Sequence, residues 1–250
     1  RQRQMCIRDS RGRPRVYGRR VRRDDQPRAP RHRRYHRRAK QGDSLCRQVT
    51  DLPRKIVMAT GNPGKISEIA RLLDGLGVEI VVQSELGVSD ADETGTSFAQ
   101  NSLIKARHAS SATGLPAIAD DSGLVVDALG GRPGVYSARY AGANATDDEN
   151  IDKLLAELAS VGNGSRGAAF HCVATFVMPG EAGAVVSEGI WRGEILKERQ
   201  GDGGFGYDPI FLDPESGLSS AQLTPQQKNA RSHRGQALRG LVEQIKKHFQ

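Results

Sequence analysis

From residue 55 onward, apolar positions fall into short blocks whose period alternates between that of a strand and that of a helix. Lys55-Ile-Val-Met-Ala59 has the length and texture of a buried strand and runs into a Gly/Asn/Pro turn. Ile66, Ile69, Leu73 and Leu76 then share one helical face, with Asn62 at the N-cap and Pro63 at the first helical position. Glu79–Gln83 predicts a second strand, and Ser97-Phe-Ala-Gln100 is a capping box that opens a helix to about Thr113. Ala117-Ile-Ala119 predicts a third short strand that ends on Asp120-Asp121-Ser122-Gly123. Thr146-Asp-Asp-Glu149 caps a helix that turns Ile151, Leu154, Leu155 and Leu158 inward.

Beyond that point the pattern becomes β-rich. Residues 168–178 and 184–196 flank Pro179-Gly180 and predict an antiparallel pair. Thr224-Pro-Gln-Gln227 is a third capping box. A last helix from about His233 to His248 carries Leu238, Leu241, Val242 and Ile245 on its apolar face. Alternating strands and helices followed by an antiparallel ribbon predict an α/β class with a mixed central sheet flanked by helices. No internal repeat is visible.

Charge divides the chain differently from what its total of +8 suggests. Residues 1–54 hold 19 Lys and Arg against 5 Asp and Glu, a net of +14, whereas residues 55–250 hold 18 against 24, a net of −6. Segment 1–53 is dense in Arg and poor in large apolar side chains, so it reads as a disordered or non-native extension, and 54–250 as the folded domain. Nucleic-acid binding by that arm is the minor reading, because its Arg-rich stretch shows neither an aromatic spacing nor a helical face. Cys6, Cys46 and Cys172 form no C-x-x-C pair, which favours a reducing, cytoplasmic setting. Neither a membrane-spanning apolar run nor a signal-peptide core is evident.

Candidate chemistry begins at Thr60-Gly-Asn-Pro-Gly-Lys65, between a strand and a helix, where free backbone N–H groups, the helix dipole and a lysine converge as a polyphosphate would need. The alternative is an ordinary β–α turn with a surface lysine. A P-loop is excluded, since that pattern requires Gly at Ala59 and Ser or Thr at Ile66. Gly201-x-Gly203-x-x-Gly206 matches the dinucleotide fingerprint but precedes Tyr207-Asp-Pro-Ile-Phe-Leu212, which is strand-like, so it reads as a glycine loop ending at an aromatic platform. Glu93 and the Asp120-Asp121 pair are hard oxygen donors from separate loops, suited to Mg²⁺, and adjacent carboxylates on one chain point in opposite directions. Ser97, Asn101 and Lys105 make a polar stripe at i, i+4, i+8. Lys228 and Ser232-His-Arg234 flank the last helix, as caps and exposed charge or as site residues. His171 reads as structural, and neither a Ser-His-Asp set nor a zinc cluster is present.

Taken in order, Ala59-Thr-Gly-Asn-Pro-Gly-Lys65, Glu93-Thr-Gly95, Asn101-x-x-x-Lys105-Ala106, Ala119-Asp-Asp-Ser-Gly-Leu124, Pro133-Gly-Val-Tyr-Ser-Ala-Arg139, Gly204-Phe-Gly-Tyr-Asp-Pro209 and Ser232-His-Arg-Gly-Gln-Ala237 resemble the inosine-triphosphate pyrophosphatase family (Ham1/RdgB-like) over residues 55–248. The resemblance implies two lobes with a substrate cleft, a homodimer, Mg²⁺, and hydrolysis of ITP, dITP and XTP to monophosphate plus pyrophosphate. It implies that Thr60, Gly61, Asn62, Pro63, Gly64 and Lys65 line the phosphate site and that Glu93 and Asp121 hold the metal. Asp121 would also activate water, and Lys105 and Ser122 would contact substrate. Phe205, Gly206, Tyr207, Asp208, Lys228, His233 and Arg234 would surround base and sugar. Gln222 and Arg231 depart from the family pattern without touching that set. The competing readings are a Maf-like pyrophosphatase acting on modified pyrimidine nucleotides and a non-catalytic nucleotide- or nucleic-acid-binding protein using its basic arm.

Overall fold

The backbone alternation of strand β1 (Lys55–Met58) decides which face of the sheet each helix covers. Ile56 and Met58 pack with the last helix, whereas Val57 and Ala59 pack toward the helix that follows residue 97. This computed structural model describes residues 53–62, 65–66, 77–161 and 165–249. The basic arm up to residue 52, Pro63, Gly64 and the helical positions Ile69, Leu73 and Leu76 lie outside the described residues. The remaining elements are β2 (Glu79–Val82), α1 (Phe98–Thr113), β3 (Ala117–Val126), α2 (Asp147–Ser160), β4 (Gly167–Val177), β5 (Val185–Ile195), β6 (Phe211–Asp213), β7 (Leu218–Ser219), α3 (Pro225–Arg231) and α4 (His233–His248).

The described strands form one mixed sheet of seven, in the order β2-β1-β3-β4-β5-β6-β7. β1 runs parallel to both β2 and β3, and every later pairing is antiparallel. α1 covers one face through Ala106 and Ala109 against Val57, Ala117 and Ala119. α4 covers the other through Leu238, Leu241 and Ile245 against Ile118, Cys172 and Phe176. Further along that same face α2 takes over, with Ile151, Leu154 and Leu158 meeting Leu124, Phe170 and Trp191. Leu155 is only half-buried and packs at the edge of this cluster. Among the described residues no helix is long and apolar enough to cross a membrane.

The predicted caps at Thr146 and Thr224 form complete capping boxes. At Ser97 only half the box closes: the hydroxyl accepts from the Gln100 N–H, but the Gln100 side chain reaches back to the Thr96 N–H at 2.7 Å. Two expectations are corrected. β3 does not stop at Ala119 but runs through Asp120-Asp121-Ser122-Gly123 to Val126, because β4 pairs with it over ten consecutive positions and satisfies a backbone whose side chains read as a turn. Asp208-Pro-Ile210 is a 3₁₀ turn, so the strand starts only at Phe211; the proline N has no hydrogen to give a ladder.

One glycine brings α4 to the sheet. A Cβ on Gly189 of β5 would collide with the His233 carbonyl oxygen. Only a bare backbone there lets the helix start, with His233 and Arg234, settle directly on the strand.

Candidate active site

β1 pairs with β3 only at Ala117 and Ile118, so past that point β3 keeps β4 on one edge and loses its strand partner on the other. The chain leaving β1 turns beside this opening at Thr60-Gly61-Asn62. Asn62 caps the helix as predicted: its carboxamide oxygen accepts from the Lys65 N–H at 3.1 Å, and its carbonyl accepts from Ile66 at 3.0 Å. The loop therefore sits at the carboxyl end of a parallel strand, where α/β sheets open their ligand crevices.

Alternation along β3 separates the two aspartates. Asp121 shares parity with Ala117 and Ala119 and points to the α1 side. There its Oδ1 accepts from Lys105 Nζ at 3.0 Å, and the same ammonium reaches Glu93 Oε1 at 2.9 Å. Asp120 shares parity with Ile118 and points to the α4 side, where its Oδ2 meets Lys65 Nζ at 3.1 Å and Arg234 Nε at 3.3 Å. Glu93 is carried by a loop pinned to α1, since the Gly95 N–H donates to the buried Asn101 carboxamide at 2.8 Å. Arg139, closing the 3₁₀ segment Gly134–Arg139, reaches Glu93 Oε2 at 3.4 Å and lies over the Tyr136 ring.

Phe205 is presented by a loop that Asp208 ties down. The Asp208 carboxylate accepts from the Phe205 N–H at 2.8 Å, Ser220 Oγ at 2.7 Å and Lys228 Nζ at 2.6 Å. Gly204 stands at φ +79°, and a Cβ there would collide with that carboxylate, so the loop needs glycine twice over. Lys228 Nζ lies 5.0 Å from the centre of the Phe205 ring, and the Arg234 guanidinium carbon lies 5.5 Å from it. His233 stacks on Phe170 at 4.8 Å, and Tyr207 donates to the Ser137 carbonyl at 2.9 Å.

Two cavities open on this arrangement. The smaller, about 170 Å³, is lined by Asp121, Ser122, Phe205, Gly206, Tyr207, Asp208, Lys228, His233 and Arg234. The larger, about 480 Å³, is lined by Thr60, Gly61, Lys105 and the acidic loop Asp90–Glu93. Asn62, Lys65, Glu93, Ala138 and Arg139 line both, so the two adjoin. All predicted site residues among the described ones thus converge on one bipartite space. Arg139 and Asp147 were missed. Arg139 ends a motif with no periodicity to mark it. Asp147 reads as an ordinary helix-start acid, yet its carboxylate accepts from the Gly206 N–H at 2.6 Å and lines the smaller cavity.

Electrostatics sets the charge states apart. Burial alone would raise the Asp120 carboxyl, but Lys65, Arg234 and Lys105 outweigh it and hold it well below the usual carboxylate range. Asp121 goes the other way: burial pushes it above its ordinary value, and Lys105 only partly offsets this. For Lys105, burial is overcome by Asp121, Asp120 and Glu93, and the ammonium is held above the ordinary lysine value. Burial, with Arg234 and Lys228 beside it, drives His233 well below its ordinary value, so the imidazole is neutral in the fold.

That last shift makes a stability prediction. Below about pH 6.5 the unfolded chain binds a proton that folded His233 refuses, so stability is full above that pH and falls as pH drops, by up to about 1.4 kcal/mol per unit. The melting temperature of wild type is expected to fall more steeply between pH 7.5 and 5 than that of His233→Asn. Parallel curves would refute a neutral buried His233.

The donor set also bears on a divalent cation. Among the described residues there is no cluster of three or more His, Cys, Asp or Glu. Mg²⁺, however, needs only one or two carboxylates beside water and substrate phosphate. Glu93 and Asp121 already share one cation, the Lys105 ammonium, and Asp121 Oδ2 is buried without a partner. The residues fit.

The Ham1 family model matches residues 56–244. The chain is 55% identical over 193 residues to a dITP/XTP pyrophosphatase of Pectobacterium atrosepticum, covering 77% of this chain and 98% of that one. It is 56% identical over 194 residues to a protein of the same name from Methylococcus capsulatus, with 77% and 96% covered. The solved structure of a HAM1 protein from Coxiella burnetii superposes with a TM-score of 0.73 at 47% identity, over 77% of this chain and 98% of that one. On sequence and on fold, the chain belongs to the Ham1 family.

Proposed function

We propose that the protein hydrolyses deaminated purine nucleoside triphosphates (ITP, dITP and XTP) to the monophosphate and pyrophosphate, with Mg²⁺, as a cytoplasmic homodimer built of two lobes around its cleft. The observation that carries this reading is that two cavities of different chemistry share the walls Asn62, Lys65, Glu93 and Arg139. A polar end with Thr60–Asn62, Lys65, Lys105 and Arg139 adjoins an aromatic, cation-rimmed end with Phe205, Lys228 and Arg234, and Asp121 lines the latter while bonded to Lys105 of the former. Relatives named dITP/XTP pyrophosphatase at 55–56% identity support the substrate class.

In this reading the loop N–H groups, Lys65 and Arg139 hold the triphosphate, and Phe205 stacks on the base. Water attacks the α-phosphorus, the bond to the α–β bridging oxygen breaks, and pyrophosphate leaves with that electron pair. Asp121, with its raised proton affinity, takes the proton of the attacking water. Glu93 and Asp121 would hold Mg²⁺, which when bound neutralises charge on the phosphates. Lys105 stays charged beside them and steadies the carboxylates before substrate arrives.

Pyrophosphate release across ITP, dITP, XTP, ATP, GTP and modified pyrimidine triphosphates, with Mg²⁺ or with EDTA, tests this directly. Release from the deaminated purines only with Mg²⁺ is expected; preference for the pyrimidines would favour the Maf-like alternative, and no release would refute the enzyme. Because every assigned residue lies at or beyond Thr60, removal of residues 1–53 is expected to leave ITP hydrolysis and the melting temperature nearly unchanged. Loss of activity or of dimerisation on truncation would give the arm a place in the folded protein. Heparin or RNA binding that belongs to the arm is expected to fade between about 50 and 200 mM salt.

A further inference from the structure

Among the described residues, Asp120 is the one carboxylate of the site that lines neither cavity, yet it is buried at the centre of it. Its contacts converge on a single oxygen. Lys65 Nζ at 3.1 Å, Arg234 Nε at 3.3 Å, the Ser122 hydroxyl at 3.4 Å and the Cys172 thiol at 3.9 Å all meet Oδ2, while Oδ1 is buried with no hydrogen-bond partner. Lys65 lines both cavities, whereas Arg234 lines only the smaller. Lys65 starts the helix behind the Thr60–Asn62 loop; Arg234 starts α4 beside Phe205, and its other nitrogen donates to Ser122 Oγ at 3.0 Å. The carboxylate itself sits mid-strand in β3, paired to Ala174 of β4, so its place is fixed by the sheet rather than by either helix.

We propose that Asp120 is a positioning residue: by holding Lys65 and Arg234 on one oxygen, it fixes the distance between the group that receives the phosphates and the group that reads the base. This deepens the pyrophosphatase reading and rests on it. A purine nucleoside triphosphate is long, and only a base correctly seated at Arg234 then presents its α-phosphorus in register with Lys65 and Asp121. A long cation with several rotatable bonds keeps no such register by itself. One shared oxygen imposes it on both.

The role differs from simple support of the fold in what it controls. A structural residue lowers the amount of active protein and treats all substrates alike. A residue that sets the spacing between base and phosphate sites changes KM and the preference for ITP over ATP together.

Asp120→Asn is the direct test, with KM, kcat and the ITP-over-ATP ratio of kcat/KM measured on protein of normal melting behaviour. The expected result is a fall in kcat/KM for ITP of about 10²-fold, the scale of a misplacement near 1 Å, carried largely by KM, with the ratio narrowed at least tenfold. A ratio and KM within twofold of wild type would overturn the proposal. Removing a buried charge from between two cations threatens folding, so Lys65→Met and Lys65→Met/Asp120→Asn form the second pair. Lys65→Met lowers turnover of ITP and ATP in parallel and leaves the ratio; the double variant, which has lost one charge of each sign, narrows the ratio because Asp120 no longer places Arg234. An unchanged ratio in that pair overturns the proposal even if the single variant does not fold. Wild-type protein that releases no pyrophosphate from ITP would overturn the pyrophosphatase reading and this proposal together. Activity on ITP with an Asp120-independent ratio removes this proposal alone.

Discussion

Asp121→Asn is expected to lower kcat on ITP by roughly 10²–10⁴, the range that loss of a general base spans, with little change in melting temperature. Asn is nearly isosteric with Asp, and the ammonium facing it is not left stranded: Lys105 keeps Glu93 at 2.9 Å when the Asp121 charge is gone. What disappears is the proton acceptor, and with it one of the two carboxylates that would hold Mg²⁺. Burial raises the Asp121 carboxyl above its ordinary value, toward the proton affinity of a working base. Steady-state kinetics on ITP, with folding checked by circular dichroism, measures this. Activity within a factor of a few of wild type would remove Asp121 from the mechanism. The two neighbouring aspartates should also fail differently: Asp121→Asn in kcat, Asp120→Asn chiefly in KM and in base preference. If Asp120→Asn instead abolished turnover while Asp121→Asn spared it, the two carboxylates would have been assigned the wrong way round.

Their separation shows what a sequence carries and what it withholds. Period-2 alternation guarantees that adjacent strand residues face opposite sides, and the chemistry of Asp120 and Asp121 follows from that single fact. Yet the strand itself was not legible past Ala119. Asp-Asp-Ser-Gly has turn composition, and only the ten-position ladder with β4, whose partners lie some fifty residues away in sequence, holds it extended. Local signals fared better. The boxes at Thr146 and Thr224 and the Asn62 cap depend on residues within four of one another and form as expected. The Thr60–Lys65 turn could be read as a phosphate site from its own residues, but the assigned partners of the base were recognisable only through family resemblance. Lys65 and Arg234 stand 169 positions apart, and nothing in either neighbourhood announces that they meet on Asp120. Asp208 is another such case. The resemblance places it around base and sugar, but in the fold three donors already occupy its carboxylate, so it braces Phe205 and Lys228.

ITP is expected to exceed ATP in kcat/KM by about 10⁴, because a buried site built around hydrogen-bond polarity rejects an analogue that reverses it by that order. The rim of the smaller cavity presents donors: the Lys228 ammonium and the Arg234 guanidinium both stand within 5.5 Å of the Phe205 ring centre. Hypoxanthine and xanthine offer these cations an acceptor at O6. Adenine offers an amino group in the same place, which would set donor against donor in a space where Arg234 is 2% exposed and no water shell relieves the mismatch. Phe205 stacks on any purine and contributes affinity without choice. Guanine keeps the O6 acceptor, so this polarity separates oxo from amino purines and leaves the 2-position to be read elsewhere. Arg234→Ala should therefore cost more on ITP than on ATP and draw the two rates together, whereas Phe205→Ala should lower both in proportion. Kinetics on the two nucleotides with the two variants decide it. Comparable kcat/KM for ITP and ATP in the wild type, or an Arg234→Ala enzyme that keeps the full ratio, would show that the base is chosen by something other than the charge of this rim.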